Sequence, residues 1–518
     1  MPTSTGNPNT KELVDSLSQP DAYRYPIDGD IEICTTHISN VFLAGDYVFK
    51  VKKPITTNFL DYSTLELRKH YCDEEVRLGK RYDEDLYQGV VAISLDDGKL
   101  RVEGDGEPVE FAVKMKRFPS DALLSERIKH GVLTSDEVVQ LAGWLGTFHQ
   151  NAAICDPEFA KGWTGFLKSN SLHILEQLEA FLCDETIGTL QVLRNWSDEY
   201  LCEHRDRFER RVEGNFIREC HGDLHLQNVV HWGDRLIPFD GIESSERLRW
   251  IDVLSDAAFL SMDLAARGHL DLSRSFINAY VQRTGDYESL ELLRWFLFYR
   301  AIVRAMVPAM RASQLDVAEE ERVEALADAH RHVDLAYRFT LREEPSLWIT
   351  HGVSGSGKTT LSETVIQRHE CFRVVSDVER KRMQGIRPTE RVVDEMKTRL
   401  YSDAHTEATY QRLATLSRGI LRAGYSVIVD ATFLKQKQRE LFVGLAEAEG
   451  VAFRILECRS DRQTLHQRVA DRIAKDTSAS DADVKVLEAQ LAQQEPLTDS
   501  ERRFAIEIPS LVSTVERL

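Results

Sequence analysis

Hydrophobic and polar residues alternate along several short runs in the first quarter of the chain, which is the pattern of half-buried strands. Residues 37–45 (HISNVFLAG) and 46–53 (DYVFKVKK) predict a hairpin with Gly45 and Asp46 at its turn. A charged helix is predicted next, in LELRKHYCDEEVRLGKRY, and further strands in VVAIS, KLRVEG and EFAVKMKRF. This part of the chain therefore predicts a small, strand-rich lobe.

From Thr134 onward the spacing of apolar residues becomes helical. TSDE is a capping box that opens the helix VVQLAGWLGTFHQ. Residues 315–341 predict one long helix, which cannot continue through Pro345. The next residues, SLWITHGVSGSGKTT, predict an apolar strand that runs into a glycine-rich turn, so a domain boundary is expected near Glu343.

These patterns predict three parts of the chain. They are a short disordered lead over residues 1–24, a first domain over residues 25–342 and a second domain over residues 343–518. The first domain is expected to divide into a small lobe, about 25–118, and a large helical lobe, about 119–342. Its layout is typical of protein-kinase-like folds, in which a hinge passes between the lobes.

The composition is that of a globular protein, with 42% hydrophobic and 29% charged residues. A chain of 518 residues is too long for a single hydrophobic core, so two or more domains are expected. No apolar run is long enough to span a bilayer, and eight scattered cysteines predict reduced thiols. We therefore expect a cytoplasmic protein without a membrane partner. The oligomeric state is left open.

The net charge of -19 is unevenly distributed. The first 343 residues hold 39 basic and 58 acidic residues, whereas the remainder holds 26 of each. An acidic field disfavours polyanions and favours a neutral or cationic ligand, although it also serves solubility. We do not expect nucleic acid as a partner of the first domain.

Candidate chemistry is concentrated in CHGDLHLQNVVHWGDRLIPFDGIE, residues 220–243. Phosphoryl transfer needs a carboxylate that accepts the proton of the attacking hydroxyl, and oxygen ligands that hold Mg²⁺ against the phosphates. Asp223, Asn228 and Asp240 have the types and the order for a base and two metal ligands. A lysine on an upstream strand and a glutamate on the next helix should complete such a site.

HGDLHLQN with the downstream FDGIE resembles the aminoglycoside phosphotransferase and choline kinase superfamily, and in particular a bacterial group that fuses this domain to an ATP-binding domain. The resemblance covers residues 25–340. It implies the same roles for the three loop residues, Lys50 as the anchor of the ATP phosphates, Glu75 as its partner and Met115 at the hinge. Lys52 and Glu74 remain alternatives for the lysine and the glutamate.

The resemblance leaves other residues of this region with structural roles or open ones. His221 and His225 are expected to brace the loop, and Asp252 and Asp256 to stabilise the helix behind it. Glu243 is either close to the metal, in contact with substrate or structural. Gly241 departs from many relatives, which have a bulky residue there, and HISNVFLAGD is a weak candidate for the phosphate lid. No acceptor-binding residue follows from the resemblance.

A second nucleotide site is predicted by GVSGSGKT, which fits GxxxxGK[ST] between a strand and a helix. Glycines let backbone N–H groups wrap a phosphate at a helix N-terminus. Lys358 should reach the β- and γ-phosphates, and Thr359 and Asp430 are expected to hold Mg²⁺. The residues predicted to bind ATP here are Gly352, Ser354, Gly355, Ser356, Gly357, Lys358, Thr359 and Thr360.

Between these elements, FRVVSDVERKR places Asp377 and Arg380 after a strand. The spacing resembles the D-x-x-R of polynucleotide kinase-like and gluconate kinase-like enzymes, which implies Asp377 as the base and Arg380 as a substrate contact. A helix N-cap at Asp377 is the alternative. Arg468 and Arg472 are one helical turn apart, a spacing that suits a lid whose arginines bind the phosphates when it closes. In the alternative, they are solvated arginines of the surface.

The sequence thus predicts an α+β, bilobal, protein-kinase-like fold followed by an α/β P-loop fold with a parallel sheet. The predicted function is a bifunctional kinase that uses ATP and Mg²⁺ and phosphorylates hydroxyl groups of small molecules such as sugars, amino-sugars or nucleosides. In the alternative, the P-loop domain phosphorylates a nucleic-acid end or acts as an ATPase switch, and the first domain is a regulatory ligand-binding module. A cluster of basic residues lies beside the predicted acceptor position of the second site: Arg380, Lys381, Arg382, Arg387 and Arg391. It favours an acceptor that already carries negative charge. In the alternative, these residues belong to an exposed charged helix.

Overall fold

The computed structural model describes residues 10–56, 60–182, 184–315, 317–388, 390, 392, 399–475 and 483–508. These residues belong to two compact units. The described residues of Met1–Glu137, Ala152–Ala160 and Gly214–Asp256 form unit 1, and those of Val138–Asn151, Lys161–Glu213 and Ala257–Leu518 form unit 2.

The α-helices are named in chain order. They are α1 Thr10–Leu17, α2 Leu65–Gly79, α3 Leu124–Lys129, α4 Ser135–Asn151, α5 Pro157–Lys161, α6 Trp163–Phe181, α7 Asp184–Glu203, α8 Arg205–Glu213, α9 Glu246–Arg249, α10 Val253–Ala266, α11 Leu270–Thr284, α12 Leu290–Ala312, α13 Glu319–Thr340, α14 Lys358–Arg368, α15 Ser376–Arg382, α16 Asp403–Arg422, α17 Gln436–Glu449, α18 Arg462–Lys475, α19 Val484–Gln493 and α20 Asp499–Arg502.

The strands are β1 Glu32–Thr35, β2 Ser39–Ala44, β3 Tyr47–Lys52, β4 Tyr87–Asp96, β5 Lys99–Val102, β6 Glu107–Lys116, β7 Ile217–Glu219, β8 Val229–Trp232, β9 Arg235–Pro238, β10 Trp250–Asp252, β11 Ser346–His351, β12 Cys371–Val375, β13 Ser426–Asp430, β14 Ala452–Cys458 and β15 Ala505–Ile508.

Strand β3 is near the centre of the antiparallel sheet of unit 1, whose order within the described residues is β1-β2-β3-β6-β4-β5. Successive side chains of a strand point to opposite faces. Phe49 and Val51 enter the apolar core on one face, whereas Lys50 and Lys52 face the buried Glu75 of α2. Strand β3 therefore presents Lys50 and Lys52 on the face opposite this hydrophobic core.

The N-terminal lead differs from its prediction. Residues 1–24 were expected to be disordered, but Thr10–Leu17 is a helix. Its buried residues Leu13 and Leu17 join the apolar core of the sheet, and the hydroxyl of Tyr23 donates to the carbonyl of Leu17 at 2.8 Å. The apolar positions lie one turn apart, so this short helix is stabilised by packing on the sheet rather than by its own propensity.

The sheet of unit 2 is parallel, with the order β12-β13-β11-β14-β15 among the described residues. In a parallel sheet the carboxyl ends of the strands meet at one edge, where ligands of such folds bind. The glycine-rich turn follows β11, Asp430 ends β13, and Asp377 follows β12. The predicted fold classes of both parts of the chain are thus confirmed.

The edge strand β12 is covered from within unit 2 by α11. The side-chain amide of Asn278 donates to the carbonyl of Cys371 at 3.0 Å and accepts the backbone N–H of Arg373 at 2.8 Å. Arg274 of the same helix donates to the carbonyl of Gln367 at 3.0 Å. The compact units therefore do not separate near Glu343, where the sequence predicts a domain boundary, because helices of the predicted large lobe pack on the parallel sheet.

Most predicted elements lie where the patterns put them. The hairpin of β2 and β3 pairs Ala44 with Tyr47 around its expected turn, and the capping box joins Thr134 to Glu137. The long helix predicted before the P-loop is α13. Within the described part of the chain, every helix is too short or too polar to cross a membrane.

We predict that Leu17→Ala destabilises unit 1. The side chain of Leu17 has no exposed surface, so its truncation leaves a cavity that costs about 3 kcal/mol of the free energy of unfolding. Urea unfolding followed by tryptophan fluorescence measures this loss. Leu95→Ala is the matched control, because Leu95 is 44% exposed and its truncation should change the free energy by less than about 1 kcal/mol. Equal effects of the two substitutions would show that α1 does not stabilise the core.

Candidate active sites

Lys50 is the centre of the first candidate site, in unit 1. Its ammonium group lies 3.0 Å from Oε1 of Glu75 and also contacts the carboxylate of Asp240. The structure therefore brings together three residues that are 25 and 190 positions apart in the sequence. Burial alone would lower the pKa of Lys50, but the charges of Asp240 and Glu75 outweigh it and raise this pKa well above its ordinary value.

The loop that carries Asp223 is arranged around Asn228. The amide of Asn228 donates to the backbone carbonyl of Asp223 at 2.9 Å and to its carboxylate at 3.1 Å. The backbone N–H of Phe239 donates to the carbonyl of Asn228 at 3.0 Å, so the hairpin of β8 and β9 brings Asn228 beside the residue that precedes Asp240. His225 lies 3.2 Å from the Asp223 carboxylate.

Asp256 holds this loop from behind. Its two carboxylate oxygens accept the backbone N–H groups of His221 at 3.1 Å and Gly222 at 2.9 Å. Nε2 of His221 lies 2.8 Å from the carbonyl of Phe239, and burial lowers the pKa of His221. Because a carbonyl can only accept, the neutral ring carries its proton on Nε2. The contacts of Asp256 with the loop were not foreseen from the sequence.

Gly222 is required by the shape of this turn. Its φ is +86°, and a Cβ atom added there would lie 2.5 Å from the carbonyl oxygen of Leu248. A larger residue would therefore be strained and would push the loop from its support. This close approach explains the middle residue of the HGD motif.

Lys52, the alternative anchor, lies deeper than Lys50. Its ammonium group is 2.7 Å from Oε2 of Glu75 and contacts Glu243, whose carboxylate also accepts the hydroxyl of Tyr62. Burial would raise the pKa of Glu243, but the charges of Lys52 and Lys50 outweigh it and lower this pKa to about 2. Glu243 is therefore ionised at neutral pH.

The remaining predicted residues of this site are placed as follows. Glu74, the alternative glutamate, pairs with Arg77 at 2.9 Å on the outer side of α2. Met115 lies near the end of β6, where the sequence predicts a hinge. Its side chain packs in an apolar cluster with Tyr87. An amide oxygen and a carboxylate are ligands that Mg²⁺ prefers, so Asn228 and Asp240, whose side chain is 40% exposed, fit a metal-bound nucleotide.

The second candidate site, in unit 2, is built on the glycine-rich turn after β11. Gly352, Gly355 and Gly357 have φ values of +150°, +82° and +97°. A Cβ at Gly352 would lie 2.5 Å from the carbonyl of Cys458, so the turn needs glycine there. Gly357 precedes the first residue of α14, which directs the helix N-terminus into the turn.

The polar groups of this turn fit a phosphate. The hydroxyl of Ser356 is buried and has no hydrogen-bond partner within the residues that the structure describes. The ammonium group of Lys358 donates to the carbonyl of Val353 at 2.8 Å, a contact that a phosphate oxygen can replace. Thr359 and Thr360 are exposed in the first turn of α14.

Asp430 is buried at the end of β13 and accepts the hydroxyl of Ser362 at 3.0 Å. Ser362 lies in α14, and its hydroxyl oxygen is also 2.9 Å from the backbone carbonyl of Thr359, so the single hydroxyl proton is shared between these two acceptors. The carboxylate is thus connected to the residue that the P-loop motif predicts as a metal ligand. Ser362 was not identified from the sequence.

Asp377 and Arg380 lie on the first two turns of α15. Their side chains are 3.5 Å apart, and the guanidinium of Arg380 lies 4.5 Å from the ring centre of Tyr401. The N-cap of α15 is Val375, so Asp377 is inside the helix and is not its cap. Nε of Arg380 is buried without a hydrogen-bond partner among the described residues.

Two helices that follow β14 reach the P-loop. Arg468 of α18 donates to the carbonyl of Gly355 at 3.3 Å. Gln490 of α19 accepts the backbone N–H of Ser354 at 2.8 Å, a contact that no motif indicated. Arg472 lies on α18, but its side chain is outside the described residues, as is Arg391 of the basic cluster.

Comparisons with known proteins agree with the position of the P-loop. Residues 347–497 match the family model described as an AAA domain. The chain is similar to an uncharacterized protein of Mycobacterium tuberculosis, with 29% identity over 475 residues, which are 92% of this chain and 92% of that protein. An uncharacterized protein of Mycobacterium bovis matches with the same identity and coverage.

Solved structures resemble each part of the chain at low identity. A choline/ethanolamine kinase family protein from Mesorhizobium loti is 11% identical, with a TM-score of 0.38, over 63% of this chain and 99% of that one. An APS kinase of Mycobacterium tuberculosis is 16% identical, with a TM-score of 0.21, over 26% of this chain and 73% of that one.

Proposed function

We propose that the chain is an ATP-dependent phosphotransferase with two kinase sites, each of which transfers the γ-phosphate of ATP to a hydroxyl group of a small molecule. The observation that carries the proposal is the position of Lys50 between Glu75 and Asp240. A lysine held by a helix glutamate beside a metal-binding aspartate is the arrangement that phosphoryl transfer uses. The P-loop at residues 352–359 supports a second site.

At the first site, Lys50 turns from Asp240 to the α- and β-phosphates of ATP and stays held by Glu75. Asn228 and Asp240 would hold Mg²⁺, which would supply positive charge against the phosphate oxygens. Asp223 accepts the proton of the acceptor hydroxyl, while that oxygen bonds to the γ-phosphorus and the bond to ADP breaks. The partly exposed carboxylates of Asp223 and Asp240 leave room for both ligands.

At the second site, the turn from Gly352 to Gly357 wraps the β-phosphate and Lys358 leaves the carbonyl of Val353 to bind the β- and γ-phosphates. Thr359 and Asp430 would hold Mg²⁺ at this site. The residues Ser354, Gly355, Ser356 and Thr360 complete the phosphate contacts, and Arg468, which lies beside Gly355, closes over the nucleotide.

The acceptor end of the second site is assigned to Asp377 and Arg380. Asp377 is the base for the hydroxyl group. Arg380 is buried, and its Nε has no hydrogen-bond partner among the described side chains, so it is suited to an anionic group on the acceptor. The charge of Asp377, 3.5 Å away, keeps the arginine in place before substrate arrives.

We predict that Asp223→Asn and Lys358→Ala remove two separable activities. Asparagine cannot accept the hydroxyl proton, and the loss of the base should lower turnover at the first site by about 10²-fold or more. Loss of the Lys358 charge should lower turnover at the P-loop by about 10²-fold or more. The measurement is a metabolite screen with ATP, in which mass spectrometry identifies the phosphorylated products of each variant.

The controls are Asp105→Asn and Lys437→Ala, which change exposed residues of the same types and should retain both products. A double variant, Asp223→Asn with Lys358→Ala, that keeps the wild-type turnover would refute the proposal. Transfer of labelled phosphate to the 5′-hydroxyl of RNA or DNA would instead make a nucleic-acid end the acceptor of the P-loop domain.

We predict that Arg380→Met, in the Asp223→Asn background, weakens binding of the acceptor at the second site while the KM for ATP changes by less than about threefold. Arg380 is assigned to the acceptor and not to the nucleotide, so the loss should appear in the acceptor KM, by about 10²-fold for one charged hydrogen bond. Arg422→Met, on an exposed arginine, is the control. A rise in the KM for ATP with an unchanged acceptor KM would assign Arg380 to the nucleotide.

A further inference from the structure

Strand β3 presents two lysines to α2, and one carboxylate is shared between them. Oε1 of Glu75 lies 3.0 Å from Lys50, and Oε2 lies 2.7 Å from Lys52. Residues i and i+2 of a strand share a face, so both lysines reach the same side chain. The usual phosphoryl-transfer arrangement requires one lysine at this place. The second lysine therefore needs its own explanation.

Lys52 is not placed to touch a nucleotide. Its side chain has 0% exposed surface, whereas that of Lys50 is 10% exposed and that of Asp240 is 40% exposed. The exposed fraction of the side chain thus rises from Lys52 through Lys50 to Asp240. The group of charges is therefore open to solvent at Asp240 and closed at Lys52. A charge this deep is tolerated because carboxylates surround it.

Glu243 connects Lys52 to the turn that carries Asp240. It follows Asp240 by three residues and binds both Lys52 and the hydroxyl of Tyr62. Arg249 holds the backbone of the same segment, because it donates to the carbonyl of Glu243 at 3.2 Å. The segment from Asp240 to Glu243 is therefore attached to β3 through the contact of Glu243 with Lys52.

The turn needs such a fastening. Asp240 has a φ of +61°, a left-handed conformation that is uncommon for a residue other than glycine. Such backbone persists where the surrounding structure holds it. The backbone N–H of Asp240 donates to the hydroxyl of Tyr87 at 2.9 Å, and the side chain of Glu243 supplies a further attachment, to Lys52 and Tyr62.

We propose that Lys52, Glu243 and Tyr62 form a positioning network that fixes Glu75 and the Asp240 turn, and that Lys50 alone of the two lysines anchors the ATP phosphates. The inference rests on the proposed function of the first site. When Lys50 moves from Asp240 to a phosphate, Lys52 keeps its own oxygen of Glu75, so the glutamate stays in place during the exchange. The network touches neither nucleotide nor acceptor.

The test uses the full chain with Lys358→Ala, so that the P-loop site contributes little turnover. Hydrolysis of ATP, with water in place of the acceptor, is measured over a series of Mg²⁺ concentrations for Lys52→Met, Tyr62→Phe and Lys50→Met. Lys99→Met, at an exposed lysine of the same unit, is the matched control. Thermal unfolding of each variant reports whether the chain is folded.

For Lys52→Met we expect kcat to fall by about 10- to 100-fold, because small displacements of groups that contact the transition state are costly. The Mg²⁺ concentration for half-maximal rate should rise by about tenfold, while the KM for ATP changes by less than about threefold. Lys50→Met should raise the KM for ATP by about tenfold or more. Tyr62→Phe removes one hydrogen bond and should lower kcat by about threefold, with the same pattern.

A KM for ATP that rises in Lys52→Met as much as in Lys50→Met would overturn the proposal, because Lys52 would then contact the nucleotide. So would wild-type kcat and Mg²⁺ dependence in Lys52→Met. If Lys52→Met does not fold, folded Tyr62→Phe decides, and wild-type constants there also overturn it. If Lys50→Met and Asp223→Asn leave hydrolysis unchanged, the first kinase site itself is refuted, which is a different outcome.

Discussion

The carboxylate of Glu75 is the contact on which the first site depends. It is buried between two lysines of one strand, and a buried charge is stable only while its partners remain in place. That requirement fixes the distance between α2 and β3, and the position of β3 in turn fixes Lys50 against Asp240. The hydrophobic core on the other face of the sheet holds the same strand through Phe49 and Val51. Apolar packing and ion pairing thus constrain β3 from opposite sides.

The sequence was most informative where chemistry is local. The loop from His221 to Asn228 and the glycine-rich turn are short motifs, so residue types and spacing were enough to find them. Residue type and spacing do not distinguish Lys50 from Lys52, because both lysines share a strand face and differ only in burial. The contacts of Lys52 with Glu243 and of Ser354 with Gln490 join residues 191 and 136 positions apart, for which the chain carries no local signal. Helix α1 was missed because its few apolar residues become a helix face only when a sheet covers them.

The parallel sheet explains why separate motifs of unit 2 lie at one edge of the fold. Its strands all end at the same edge, so the turn after β11, Asp430 and Asp377 all lie on that side of the sheet although about 80 residues of sequence separate them. The predicted boundary near Glu343 marks where the P-loop pattern begins. Motifs identify where a catalytic pattern starts, whereas compactness depends on which surfaces pack, and α11 packs on this sheet.

The amide of Asn278 occupies the outer side of β12 as a neighbouring strand would. An uncovered edge strand offers its backbone groups to any other extended chain, and so is a starting point for aggregation. A P-loop domain released by cleavage near Glu343 would lose this cover and expose β12. The covalent fusion of the two parts therefore affects solubility, because α11 covers the edge strand β12 of the parallel sheet. If the two parts became separate proteins in evolution, another segment would have to cover that edge.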